Sequence, residues 1–274
     1  MGIFQQKERY GIGDLLSIME LLRSEQGCPW DREQTHRSIR GNLIEETYEV
    51  VEAIDNEDAE LLQEELGDVL LQVVFHAQME KEAGSFDFDD VCDGICKKLI
   101  LRHPHIFADG KAGTSQEVLR NWDAIKRAEK HRDTAADSLK SVPRPLPALM
   151  RSAKVQNRAA KVGFDYPDFA MAMGDLRSEV EELAEALEQG NGQAVEEELG
   201  DLLFSAVNVS RLKRMDPEQA LTKSCDKFIR RFEQVEKLAA ARGIQMEEAS
   251  IQVLDSLWKE AKNTEQKTLE VLEK

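Results

Sequence analysis

The chain has few of the residues that define several common protein classes. Its 274 residues include four cysteines and seven prolines, and aromatic residues make up 6%. The cysteines lack the spacing of a zinc site, and Cys92 and Cys96 lie one helical turn apart, which favours reduced core thiols. No segment reaches the ~18 apolar residues of a membrane span. Residues 1–11 contain no apolar signal core, so we expect a cytoplasmic protein.

An excess of basic residues is also missing. Lys and Arg number 36 against 53 Asp and Glu, which gives a formal net charge of −17. Nucleic acids and anionic membranes are bound by basic patches, so we expect neither as a partner. An anionic small substrate is still compatible with this charge, because bound Mg²⁺ reverses the local field.

What the chain does have is a pattern of four carboxylates that occurs twice with the same internal spacing. Glu46-x-x-Glu49 precedes Glu65-x-x-Asp68, and Glu179-x-x-Glu182 precedes Glu198-x-x-Asp201. Carboxylates three residues apart share one face of a helix, so two antiparallel helices can direct all four to one place. Four converging carboxylates repel one another unless a hard cation such as Mg²⁺ lies between them. The repeat therefore predicts two metal sites.

Helical periodicity dominates the rest of the sequence. Leu62, Leu66, Val69 and Val73 recur at the steps of an amphipathic helix, and β-hairpin signals are absent. Pro143, Pro145 and Pro147 alternate in a segment that cannot continue a helix. We therefore predict an all-α protein with a first module over residues 1–130, a proline-containing linker over 131–148, and a second module over 149–274.

Cationic and aromatic residues also recur in pairs. Lys98 and Arg102 match Lys227 and Arg231, and Trp122 and Lys126 match Trp258 and Lys262. The cationic pairs fit a clamp on phosphate oxygens, but they fit ordinary surface ion pairs with the abundant Glu equally well. The tryptophans fit either helix packing or stacking on a base.

Several longer motifs follow one another in order, among them GCPWDREQT from Gly27, EELGDVLLQVVFHAQ from Glu64, EELGDLLFSAVNVSR from Glu197 and KFIRRFEQVE from Lys227. In these motifs the chain resembles the MazG nucleoside triphosphate pyrophosphohydrolases in their tandem-repeat form. The resemblance covers nearly the whole chain, from about Leu15 to Lys262. One departure is Tyr166, where the family more often has Trp.

This resemblance implies an all-α fold whose modules build four-helix-bundle cores, through formation of a homodimer. It also implies hydrolysis of nucleoside triphosphates between the α and β phosphorus atoms, with Mg²⁺ or alternatively Mn²⁺, and with broad base specificity. Carried over by position, the catalytic and metal-binding residues are Glu179, Glu182, Glu198 and Asp201, with Glu46, Glu49, Glu65 and Asp68 as first-module metal ligands. The substrate-binding residues are Asn208, Lys227, Arg231, Trp258 and Lys262, with Lys98, Arg102, Trp122 and Lys126 as first-module equivalents.

The two modules differ seven residues after the last carboxylate of each pattern. Asn208 follows Asp201 at this distance, whereas Phe75 follows Asp68 and cannot hydrogen-bond with its side chain. Our hypothesis is that the second module is catalytic and the first is structural, regulatory or weakly active. The alternatives are a pyrophosphatase restricted to one nucleotide and a non-enzymatic module that binds nucleotide or a partner protein. A di-iron bundle requires Glu-x-x-His pairs, which these motifs lack.

Overall fold

A computed structural model describes residues 6–108, 113–118, 121–122, 125 and 134–272. Every regular element among them is an α-helix, which confirms the all-α prediction. In chain order the helices are α1 (Ile12–Arg23), α2 (Pro29–Glu33), α3 (Arg40–Asp55), α4 (Ala59–Ala83), α5 (Phe88–Arg102), α6 (Pro104–Phe107), α7 (Ala135–Lys140), α8 (Ala148–Ala160), α9 (Phe169–Gln189), α10 (Gly192–Leu212), α11 (Pro217–Ala241) and α12 (Ile251–Leu272).

The chain divides into two compact units, Met1–Lys130 and His131–Lys274. In the first unit α3 and α4 form the most extensive helix pair, and α1 and α5 pack on α4. Its core is a cluster of buried apolar side chains in which Phe75 is 4% exposed and Val74 is 1% exposed. Burial of such side chains supplies most of the stability of an amphipathic helix in a folded protein.

In the second unit α9 and α10 form the corresponding pair, α8 packs on α10, and α11 packs on α12. A buried cluster of Val235, Ala239, Leu257 and Ala261 holds α11 against α12. In each unit, therefore, the two helices that carry the four-carboxylate pattern lie side by side.

The turns that make these pairs antiparallel use equivalent caps. The Asp58 carboxylate accepts hydrogen bonds from the backbone of Glu60 and Leu61 at the start of α4. The Asn191 side chain does the same for Gln193 and Ala194 at the start of α10. Gly190, with a φ of 68°, ends α9 in the left-handed region that glycine adopts without strain. Each turn thus stops one helix and starts the next within a few residues.

The segment predicted to be a linker contains a short helix. Thr134 caps α7, because its hydroxyl accepts a hydrogen bond from the Asp137 backbone, and α7 packs on α8. Arg158 Nη1 on α8 donates to the hydroxyl of Ser141 at 2.6 Å. The prolines at 143, 145 and 147 follow α7 in irregular backbone, where they remove no helical hydrogen bond. This part of the segment therefore packs onto the second unit.

Within the described residues, no helix combines the length and apolarity that crossing a bilayer requires.

Candidate functional site

The second carboxylate cluster lies between α9 and α10. Glu179 and Glu182 are one turn apart on α9, and Glu198 lies on the facing side of α10. Each of the three offers a carboxylate oxygen, and these oxygens lie within 4.8 Å of one another. Such proximity of like charges requires a compensating cation or protonation.

The titration of this cluster is perturbed accordingly. Desolvation raises the pKa of Glu179, and the charges of Glu182 and Asp201 raise it further. Desolvation also raises the pKa of Glu198, with Glu182 and Asp201 again adding to the shift. Asp201 therefore lies close enough to act electrostatically on both glutamates. The sequence pattern brings its four members together in space.

A cavity of about 630 Å³ opens beside this cluster, and Glu179 and Asp201 form part of its wall. Its size falls in the range of sites for small organic ligands. Much of the remaining wall is apolar, and it includes Leu139, Val155, Ala159, Phe164, Pro167, Met171 and Phe204. Anionic oxygens thus lie at the edge of a largely apolar chamber.

The polar groups of the cavity wall are tied to one another. Arg211 forms a double ion pair with the Asp165 carboxylate, one arm of which is 3.1 Å long. Its Nε donates to the Asn208 side-chain oxygen at 2.8 Å. These bonds hold the Asp165 pKa below its ordinary value, chiefly through the hydrogen bond from Arg211.

A second network lies nearer the glutamates. The Tyr166 hydroxyl donates to the Asp175 carboxylate, to which Ser205 also donates at 3.4 Å. Desolvation and the Asp175 carboxylate raise the pKa of Tyr166 to about 12. Tyr166 therefore stays protonated near neutral pH and keeps Asp175 oriented at the cavity wall.

The first unit contains an equivalent carboxylate cluster between α3 and α4. Oxygens of Glu46, Glu49 and Glu65 lie within 4.8 Å of one another, and Glu65 is only 8% exposed. Desolvation raises the pKa of both Glu46 and Glu65, and Asp68 adds to both shifts. The described residues thus contain two acidic clusters that can hold a metal ion.

The surroundings of the first cluster differ from those of the second. Phe75, at the position that Asn208 has in the second repeat, is buried in the core. The Arg23 guanidinium lies 5.3 Å from the centroid of its ring and pairs with Glu82 at 2.8 Å. Arg23 Nη1 also donates to the Asp31 carbonyl oxygen at 2.6 Å. In the first unit, packed side chains therefore surround Phe75, whereas the equivalent residue of the second unit, Asn208, lines the cavity.

Comparison with known proteins places both clusters in matched segments. Residues 34–107 and 170–236 match the MazG nucleotide pyrophosphohydrolase domain. Over 257 residues the chain is 46% identical to the nucleoside triphosphate pyrophosphohydrolase of Escherichia coli K12, covering 93% of this chain and 98% of that protein. The chain belongs to the MazG family. A second MazG relative, the nucleoside triphosphate pyrophosphohydrolase/pyrophosphatase of Thermotoga maritima, is 44% identical over 249 residues, or 91% of this chain and 94% of its own length.

A third relative matches a shorter part of the chain. The nucleoside triphosphate pyrophosphohydrolase of Mycobacterium tuberculosis is 41% identical over 152 residues, which are 55% of this chain and 45% of that protein. Each MazG match in this chain encloses one complete four-carboxylate pattern. The duplication seen in the sequence therefore coincides with two family domains.

The structure places the remaining residues predicted for the second MazG site on α11 and α12. Arg231 Nε donates to the Glu265 carboxylate at 2.6 Å. Trp258 packs against the α11–α12 core with its ring centroid 5.0 Å from that of Phe228. Lys227 and Lys262 are exposed to solvent. Of the described residues predicted to bind substrate in this unit, Asn208 lines the cavity.

In the first unit, the Arg102 guanidinium lies 5.9 Å from the Trp122 ring centroid, so these two predicted residues contact each other. Lys98 is exposed on α5. Lys126 lies outside the described residues.

Sequence reasoning missed Gln156, Asp175 and Arg211 as parts of the cavity wall. For two of them a signal is present, since Asp175 lies one helical turn before Glu179 and Arg211 one turn after Asn208. Gln156 lies on α8, outside both helices of the carboxylate pattern, and no spacing pattern marks it.

Proposed function

We propose that the chain hydrolyses nucleoside triphosphates at the α–β phosphoanhydride bond, releasing a nucleoside monophosphate and pyrophosphate. The observation that carries this proposal is the carboxylate cluster of Glu179, Glu182 and Glu198 at the edge of a cavity of about 630 Å³. In this proposal the nucleoside occupies the largely apolar chamber and its phosphates lie at the carboxylate end. Relatives with this domain are named nucleoside triphosphate pyrophosphohydrolases.

The donor set fits Mg²⁺, with Mn²⁺ as the alternative. The cluster offers only carboxylate oxygens, which are the ligands that hard divalent cations prefer. Glu179, Glu182, Glu198 and Asp201 would hold the ion. When bound, it supplies positive charge that neutralises the phosphate oxygens and polarises the phosphorus that is attacked.

The side chains of the chain supply positioning and proton transfer. A glutamate of the cluster accepts the proton of the attacking water, a role that suits a carboxyl group whose pKa lies above its ordinary value. Arg211, fixed by Asp165 and Asn208, presents a guanidinium on the cavity wall. Lys227, Arg231, Trp258 and Lys262 remain candidates for contacts with the outer phosphates, and Arg231 would have to exchange its bond with Glu265.

We place catalysis in the second module and a structural or regulatory role in the first. The support is the contrast between Asn208 on an open cavity wall and Phe75 in a packed core beneath Arg23. The first cluster retains its carboxylates, so it can still bind a cation.

A homodimer in the cytoplasm completes the proposal. Apolar side chains of α9 and α10 are exposed in the single chain, including Val180 at 52%, Leu187 at 60% and Leu203 at 50%. Helices with such faces gain stability by packing against a further pair of helices. Sedimentation analysis across a concentration series measures this association directly.

The decisive experiment incubates the purified chain with Mg²⁺ and a panel of ribo- and deoxyribonucleoside triphosphates, and separates the products by chromatography. Monophosphate and pyrophosphate from several bases, lost with EDTA, is the expected result. Turnover of one nucleotide alone would favour a restricted pyrophosphatase. Diphosphate and orthophosphate would contradict the bond assignment, and nucleotide binding without turnover would favour the binding-module alternative.

A further inference from the structure

Gln156, in the wall of the second-unit cavity, has a buried side-chain oxygen without a partner among the described residues. Gln156 lines the cavity from α8 and is 5% exposed. Its Nε2 donates to the Phe204 carbonyl oxygen on α10 at 2.7 Å. Its Oε1 is buried and accepts no hydrogen bond from any described residue. A buried amide oxygen left in this state costs about 1–3 kcal/mol, so it calls for an explanation.

The neighbouring polar groups do not share this property. Tyr166 and Ser205 both bond to Asp175, and Arg211 bonds to Asp165 and Asn208. These groups are satisfied before any ligand enters. The carboxylates of Glu179 and Asp201 also line the cavity, so Gln156 Oε1 is the uncharged acceptor among these groups that a ligand can use without breaking an existing bond.

The bond to Phe204 also fixes the orientation of the amide. Because Nε2 donates to a backbone carbonyl, the orientation of the amide is set, and its oxygen Oε1 is the acceptor that has no partner among the described residues. A ligand that complements it presents an N–H group. The surrounding apolar wall, with Val155, Ala159 and Phe204, suits a flat apolar ring on the same ligand.

We propose that Gln156 Oε1 accepts a hydrogen bond from an N–H group on the edge of the nucleobase and so selects bases that carry such a donor. This inference rests on the proposed function and adds a specificity-determining residue to it. Each of the common bases carries at least one N–H donor on its pairing edge. One such acceptor in an apolar wall therefore admits all of them and disfavours a base that has only acceptors.

The first unit provides a matched control. Gln72 is buried at 6% exposure, and its Oε1 likewise accepts no hydrogen bond from the described residues. It lies in the other unit, on α4, and not in the wall of the second-unit cavity. Gln72→Met and Gln156→Met thus remove the same kind of buried amide, and only the second removes it from the cavity.

The test compares ATP with purine riboside triphosphate, which lacks the amino group and has no N–H on its base. The kcat/KM for each is measured with Mg²⁺ on the full chain, on Gln156→Met and on Gln72→Met. We expect the full chain and Gln72→Met to prefer ATP by about tenfold, the value of one neutral hydrogen bond. We expect Gln156→Met to lose that preference because its kcat/KM with ATP falls.

Each outcome separates this inference from the function on which it depends. Equal kcat/KM for both substrates in the full chain, or a preference that survives in Gln156→Met, would overturn the role of Gln156 while leaving the pyrophosphohydrolase intact. Absence of turnover with every triphosphate would overturn the proposed function itself. Circular dichroism spectra of both variants show whether each is folded. The same two kcat/KM values are measured on Gln156→Glu, because its carboxylate keeps the acceptor at this position and loses the donor to Phe204.

Discussion

The two carboxylate clusters allow the same substitution to be made at equivalent positions of the two units, in two separate variants. Glu198→Gln and Glu65→Gln each replace a carboxylate by a neutral amide of the same shape, at equivalent positions of the two patterns. In each cluster three carboxylate oxygens lie within 4.8 Å, so either change removes one of the charges that would hold a cation. The two variants differ mainly in the unit that they affect.

The expected magnitudes differ strongly. Loss even of a group that only orients a metal ligand typically lowers metal affinity or activity 10- to 100-fold, so loss of a ligand lowers kcat/KM by about 100-fold or more. Glu198→Gln should show this fall. Glu65→Gln should change kcat/KM by less than about threefold, which is the scale of a substitution remote from the reaction.

The assay is pyrophosphate release from ATP at several Mg²⁺ concentrations, with thermal unfolding of each variant as the control for folding. A partial rescue of Glu198→Gln by high Mg²⁺ would identify its defect as weaker metal binding. Comparable losses in the two folded variants would refute the assignment of catalysis to the second unit, and a loss confined to Glu65→Gln would reverse it.

Three further predictions follow from contacts of single residues. Glu179→Gln removes a carboxyl group whose pKa is raised by desolvation and by its neighbours, so in EDTA the variant should unfold a few degrees higher in the second unit than the unsubstituted chain. Addition of Mg²⁺ should then raise the unfolding temperature of the variant less than it raises that of the unsubstituted chain. Arg211→Met breaks the bonds to Asp165 and Asn208 and should lower the free energy of unfolding by about 1–3 kcal/mol in urea titrations, whereas the exposed Arg230→Met should leave it unchanged. Desolvation, and to a smaller extent the charge of His36, lower the pKa of His76 below its ordinary 6.5. As the pH falls below 6.5, His76 is therefore protonated in the unfolded chain before it is protonated in the folded chain, and the first unit should lose stability. His76→Phe should flatten this dependence in thermal unfolding measured from about pH 7.5 to 5.

Local sequence patterns account for much of the fold. The i, i+3 carboxylates, the apolar periodicity and the polar turns near Asp58 and Asn191 are properties of short segments, and the structure forms helices and caps at those places. The repeat then adds a long-range constraint, because equal spacing in both halves implies equal pairing of helices. The all-α fold and the family membership are confirmed for this reason.

The cavity escapes sequence reasoning because its wall joins segments that are distant along the chain. Leu139 precedes α8, Val155 lies on α8, Tyr166 lies in the following turn, and Phe204 lies on α10. None of these residues belongs to a spacing pattern. Their proximity depends on how α8 packs against α10, which local periodicity does not determine.

The cationic residues of α11 show that a spacing pattern in the sequence does not determine which partner a side chain contacts. The spacing of Lys227 and Arg231 places both on one helix face, which fits a phosphate clamp as well as a surface ion pair. In the structure Arg231 bonds to Glu265, 34 residues further along the chain. Which neighbour a long charged side chain chooses depends on tertiary packing, and for that reason the role of these residues stays a prediction.

The fixed position of Arg211 has a consequence for the entropy of ligand binding. An arginine loses up to about 2 kcal/mol of rotamer freedom when it becomes ordered. Here the side chain is only 10% exposed and is held by Asp165 and Asn208, so that loss accompanies folding. A ligand that contacts this guanidinium therefore meets a group whose conformational entropy has already been reduced, and its association carries a smaller entropic penalty at this residue.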